Sequence, residues 1–110
     1  MPPSHVLYPQ FALRQEKALA DFGRFLRLHV AEGDARPDTI RAYRSQVRKF
    51  LRWCWVQKVD PQLATSEEVY EYRQFLVRTC CLTCSTTRLA LVALRRWFAA
   101  LVWSGVRTDN

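Results

Sequence analysis

The feature that most constrains this chain is the helical spacing of its apolar residues. In the segment TIRAYRSQVRKFLRW, residues 39–53, apolar side chains return every three or four positions, which places them on one face of an α-helix. The 110 residues include only three glycines and five prolines, and none of these interrupts residues 39–58. This pattern favours an all-α fold over a sandwich of short strands.

Four amphipathic helices joined by short loops are predicted. We expect them at residues 11–31, 38–58, about 65–79, and from about 83–85 to the stop signal at Gly105. Asp38 is a possible cap of the second helix, and Thr65 with Glu68 matches a capping box for the third. Residues 1–10 contain three prolines and predict an extended N-terminal arm. Residues 11–105 therefore form a single four-helix bundle in this interpretation.

Charge is unevenly distributed in a chain whose formal net charge is +7. Residues 39–58 and 79–107 contain no acidic residue. The first segment has four arginines spaced by three, four and four, which aligns them along one helix face: Arg41, Arg44, Arg48 and Arg52. Like charges in a row repel, and a line of phosphates offsets that repulsion, since arginine binds phosphate in a bidentate manner. This basic row predicts a nucleic-acid partner, and the alternative is an ordinary solvated basic surface.

The predicted start of the fourth helix is also suited to phosphate. Ser85, Thr86, Thr87 and Arg88 combine hydroxyls, a guanidinium and the free amides of a helix N-terminus. Arg95 follows on the same face as Arg88. Ordinary helix capping is the alternative explanation for the hydroxyl residues.

TIRAYRSQVRKFLRWC, a capped short helix and then STTRLALVALRRWFAALVWSGVRTDN together resemble the N-terminal core-binding domain of tyrosine recombinases, the phage-integrase and Xer-type enzymes. The resemblance covers roughly residues 11–110. It implies a four-helix SAM-like bundle that forms one half of a C-shaped clamp around DNA, with the second and fourth helices in the major groove of a recombination half-site. By this resemblance the DNA-binding residues are Thr39, Arg41, Arg44, Arg48, Arg52, Thr86, Thr87, Arg88 and Arg95.

The same resemblance implies double-stranded DNA and neighbouring recombinase protomers as partners. Family members cleave DNA with a tyrosine nucleophile that belongs to a separate C-terminal domain. We expect residues 106–110 to begin the linker to that domain, which this chain does not contain. The chain has no H-x-x-R motif, and Tyr43 and Tyr72 fall on predicted core stripes. We therefore expect no catalysis and no small-molecule substrate.

The sequence also bears on two other classes of function. A helical protein–protein interaction module would use the arginines and tryptophans against an acidic protein partner. A self-contained enzyme is disfavoured because the sequence has no nucleophile–base pair, metal-ligand spacing or phosphate loop. Trp55 and Trp103, if exposed, are candidates for contacts between protomers.

The cysteines bear on whether the chain binds a metal or cofactor, and its hydropathy bears on its cellular location. Cys80, Cys81 and Cys84 supply only one close pair of metal ligands, and Cys54 belongs to the core stripe of the second helix. We therefore expect no metal and no cofactor. Without a signal peptide or a long apolar run, we expect a cytoplasmic protein that associates with the nucleoid through DNA.

Overall fold

The computed structural model describes residues 8–108, which form four α-helices: α1 (Tyr8–His29), α2 (Pro37–Gln57), α3 (Ser66–Gln74) and α4 (Cys84–Trp103). A 3₁₀ turn, Val30–Gly33, follows α1, and a π-helical turn, Phe75–Thr79, extends α3. The predicted all-α four-helix bundle is confirmed.

The start of α1 differs from the prediction. The helix begins at Tyr8, so Tyr8–Gln10 are helical and do not belong to an extended arm. Pro9 lies in the first turn, where the N–H that proline lacks would have no helical acceptor. The rest of the predicted arm, residues 1–7, lies outside the described residues. α1 ends at His29, because Ala31 and Glu32 adopt left-handed φ angles of 52° and 55°.

The caps of the other helices mostly follow the sequence signals. Thr65 and Glu68 form the complete capping box of α3, and the Thr83 hydroxyl accepts a hydrogen bond from the Thr86 amide at the start of α4. The prediction for α2 is wrong in one respect. Its N-cap is Arg36, with Pro37 as the first helical residue, so Asp38 lies inside the first turn and does not cap the helix.

Two hydrophobic clusters make the core, and α2 and α4 contribute to both. The first joins α1, α2 and α4, with Phe22, Leu26 and Trp97 fully buried. The second joins α2, α3 and α4 around Phe50 and Tyr72. α2 and α4 therefore bury one face against the rest of the bundle and turn the opposite face, which carries most of their arginines, outwards.

The Trp97 indole holds the loop between α2 and α3 against α4. Its Nε1 donates a hydrogen bond of 3.1 Å to the carbonyl of Pro61, and its ring packs edge-on against Phe22. Gln62 of the same loop donates a 2.7 Å hydrogen bond to Gln15 of α1. This loop is thereby fastened to two helices that are distant in sequence.

We predict that Trp97→Phe destabilises the domain by about 1–3 kcal/mol from the unpaired buried Pro61 carbonyl alone, with a further loss from the smaller ring. The measurement is the free energy of unfolding from urea denaturation. Trp103→Phe is the matched control, since Trp103 is 40% exposed and should change stability much less. Equal effects of the two substitutions would show that the indole N–H does not anchor the loop.

Candidate nucleic-acid interface

The predicted basic row on α2 does not have a uniform environment. Arg41, at its N-terminal end, is exposed and forms an ion pair with Asp38 one turn earlier. The expectation of a row with no acid to neutralise it is therefore wrong at this end. Asp38 lies just outside the acid-free segment 39–58, yet the helical turn brings it beside Arg41.

Arg44 is half-buried between α2 and α1. A Cβ placed on Gly23 of α1 would lie 3.9 Å from Arg44 Cδ, and 3.5 Å from Arg27 Nη1. The Arg44 Nε is buried and has no hydrogen-bond partner within residues 8–108. Arg44 thus packs its stem against α1, and less of its side chain is available to a ligand than the spacing predicted.

Arg48 and Arg52 continue the row on the open surface. Both are exposed, and neither makes an ion pair or side-chain hydrogen bond in the described part of the chain. Arg52 and Lys49 lie at a groove of about 470 Å³ between α2 and α3, here called the α2–α3 groove. The groove is lined by Lys49, Arg52, Trp53, Val56, Gln57, Tyr72, Phe75, Leu76, Cys80 and Leu82.

The predicted threonines are less accessible than the arginines. Thr39 and Thr86 are half-buried, and the Thr86 hydroxyl is held by a 2.9 Å hydrogen bond from Thr83. Thr87 is only 5% exposed, and its buried Oγ1 has no partner among residues 8–108. In this structure the Thr87 hydroxyl is not on the surface, contrary to the expectation that it meets phosphate directly.

Arg88 and Arg95 are exposed on the outer face of α4 and share a second groove with a residue of α3. This α3–α4 groove has a volume of about 620 Å³. Its lining is Arg73, Val77, Leu82, Cys84, Thr87, Arg88, Leu91, Val92 and Arg95. Arg73 is also exposed, and none of the three arginines makes an ion pair within residues 8–108.

Leu82, in the loop that leads into α4, lines both grooves. The α2–α3 groove with Arg52 and the α3–α4 groove with Arg88 therefore meet at this loop. The structure thus places Arg52 of the basic row and Arg88 at the start of α4 at two grooves that share this loop.

Arg73 and Lys49 line these grooves but were not among the predicted site residues. Lys49 lies in an acid-free segment, so a basic residue beside Arg52 was a visible signal. Arg73 follows Glu67, Glu68 and Glu71, so this segment is acidic when its charges are summed, and Arg73 does not stand out as part of a basic surface. Its position becomes apparent only when α3 is packed against α4.

Two tyrosines predicted to be core residues are placed differently. Tyr72 is buried, and burial raises the pKa of its hydroxyl well above the ordinary value. Its hydroxyl has no hydrogen-bond partner among residues 8–108. Tyr43 is half-buried and packs against the first core cluster. Tyr72 is therefore a packing residue that is poorly suited to act as a nucleophile.

The cysteines are all free thiols. Cys54 is fully buried, whereas Cys80, Cys81 and Cys84 are exposed. Within residues 8–108, no three His, Cys, Asp or Glu side chains are grouped so that they would hold a metal ion. None of the helices in the same range is long and apolar enough to cross a membrane.

The two tryptophans considered for protomer contacts differ in exposure. Trp55 is half-buried and packs on Phe11, with ring centroids 5.2 Å apart. Trp103 is 40% exposed and lies beside Phe25 and His29, with the Arg24 guanidinium 5.8 Å from its ring centroid. Of the two, Trp103 is the more exposed residue.

The chain is therefore an all-α bundle with exposed arginines on its second and fourth helices. A family model described as the phage integrase N-terminal SAM-like domain matches residues 19–103. The match covers most of the chain, which therefore belongs to this family. Domains of this family have a role in DNA binding and site-specific recombination. No curated protein and no solved structure is significantly similar to the chain.

We predict that three of the four thiols react rapidly with a thiol reagent in the native protein and that the fourth reacts only on unfolding. Burial raises the pKa of the Cys54 thiol, so less of the nucleophilic thiolate forms at any given pH, and the core also blocks access. Absorbance titration with a coloured disulfide reagent at pH 8, with and without denaturant, counts both classes. Four rapidly reacting thiols in the native protein would contradict the buried position of Cys54.

Proposed function

We propose that this domain binds duplex DNA through the outer faces of α2 and α4, with Arg48 and Arg52 on one helix and Arg88 and Arg95 on the other. The observation that carries the proposal is that Arg52 lines one groove, Arg88 and Arg95 line the other, and both grooves are lined by Leu82. Arg48 lies one helical turn before Arg52 on the same face of α2. All four guanidiniums are exposed and lack an acidic partner within residues 8–108. They are therefore free to exchange water and counterions for phosphate oxygens.

The remaining predicted residues have secondary roles in this proposal. Arg41 must exchange its contact with Asp38 for a phosphate, so its net contribution is smaller than that of Arg48. Arg44 is restrained by α1, and Thr39 and Thr86 are half-buried. Because exposed arginines on a helix mainly contact the sugar–phosphate backbone, we expect strongly salt-dependent binding with little sequence preference from this domain alone.

Catalysis is assigned to another part of the full-length recombinase. Tyr72 is buried with a raised pKa, and Tyr43 is packed against the core. The family match concerns an N-terminal domain only. In this proposal the domain holds a recombination half-site while residues outside it carry out strand cleavage and exchange.

The surface around Trp103 supports a second role in contacts between protomers. Trp103 is 40% exposed, and Leu28, at the same end of the bundle, is 58% exposed. Aromatic residues with an exposed apolar neighbour are typical of protein interfaces. This surface does not include the arginines proposed to bind DNA, so both roles are compatible in one assembly.

The test is fluorescence-anisotropy binding of the domain to a random duplex of about three helical turns over a salt series. We predict a log–log slope of the binding constant against salt of roughly −4 to −6 for the wild type. Arg48→Ala/Arg88→Ala should flatten that slope by about 2 units, because each substitution removes one phosphate contact.

Arg14→Ala/Arg78→Ala is the matched control, since both arginines are exposed, neither lines the two grooves, and neither belongs to the basic row of α2 or to α4. It removes the same total charge and should leave the slope nearly unchanged. Equal effects of the two double variants would indicate a non-localised charge effect. An absence of binding at low salt would reject the proposed DNA-binding function.

A further inference from the structure

Three arginines from two helices line the α3–α4 groove. Arg73 comes from α3, and Arg88 and Arg95 come from α4. None of them has an acidic partner in the described part of the chain. Three like charges at one groove repel one another, and an anion seated between them removes that repulsion.

The other residues of the groove indicate what kind of anion fits. Val77, Leu82, Leu91 and Val92 line it together with the arginines, and Cys84 and Thr87 complete the lining. No aromatic side chain is among the lining residues, so the groove lacks the stacking surface that unpaired bases use. Aliphatic walls with guanidiniums match a sugar–phosphate strand, in which apolar sugar faces alternate with phosphates.

The groove also extends along α4. Arg88 and Arg95 lie seven residues apart, so they are separated by about 10 Å along α4. Arg73 reaches the same groove from α3, just before the π-helical turn that carries Val77. Such turns often occur at functional sites because they change the direction in which neighbouring side chains project.

We infer that the α3–α4 groove holds one sugar–phosphate strand of the DNA, and that Arg73 of α3 binds a backbone phosphate of this strand opposite Arg88. The inference rests on the proposed function and adds a third helix to the DNA-binding surface. It also gives the apolar residues of the groove a role, as the surface on which the deoxyriboses lie.

The test uses Arg73→Ala and Arg73→Lys in the same anisotropy assay. Arg73→Ala should flatten the salt slope by about 1 unit. Arg73→Lys should keep the slope but weaken binding at each salt concentration, because an ammonium cannot make the bidentate contact. Arg78→Ala, which removes an exposed arginine of the adjacent π-helical turn that does not line the groove, should behave like the wild type.

Two further measurements separate a shared phosphate from a general charge effect. In a double-mutant cycle, Arg73→Ala and Arg88→Ala together should lose less affinity than the sum of the single losses, because both arginines grip the same strand segment. Inorganic pyrophosphate, compared with chloride at matched ionic strength, should not displace the duplex selectively. Selective displacement from the wild type but not from Arg73→Ala would mean that the groove is a site for small free anions.

The failure of this inference is distinguishable from failure of the proposed function. If Arg48→Ala/Arg88→Ala weakens binding and Arg73→Ala behaves like Arg78→Ala, the role of Arg73 is wrong and DNA binding by α2 and α4 stands. If the wild type shows no salt-dependent binding, both are overturned. Because Arg73 is exposed, its variants should keep the wild-type circular dichroism spectrum and melting temperature.

Discussion

The buried Trp97 indole is the contact on which the arrangement of the proposed DNA-binding surface depends. It lies in the middle of α4, packs edge-on against Phe22 of α1, and hydrogen-bonds the Pro61 carbonyl in the loop that leads from α2 to α3. This side chain therefore links α4 to α1 and to the α2–α3 loop, and the other buried residues of α4 pack alongside it. Because one face of α4 is buried, the helix cannot rotate about its axis. This packing sets the direction in which the exposed arginines of α4 project.

Helical periodicity predicted the core because the apolar stripes of all four helices are regular. The same logic places Thr87 inside, since it lies four residues before Leu91 and seven before Leu94. The sequence interpretation instead grouped Thr87 with the cap residues because of its hydroxyl. The helical spacing predicts the position of Thr87 correctly, because its side chain is buried in the structure.

Charge patterning along the chain was less informative than periodicity, and the reasons are local. Asp38 is one residue outside the acid-free segment, but a helical turn places it against Arg41. Arg73 follows three nearby glutamates, but the packing of α3 against α4 brings it beside Arg88 and Arg95. The half-buried Arg44 depends on the approach of α1 at Gly23. Each of these positions depends on contacts in the folded chain, and counting charges along the sequence does not reveal such contacts.

The most direct test of DNA binding through α2, α3 and α4 is an NMR footprint of a short duplex on the isotope-labelled domain at low salt. We predict that the largest amide shifts occur near Arg48, Arg52, Arg73 and Arg88, and along the Leu82 loop. The exposed face of α1 and the acidic first turn of α3 should change little. Shifts concentrated around Leu28 and Trp103 would contradict this prediction, because they would place the DNA near the C-terminal end of α4, away from the Leu82 loop.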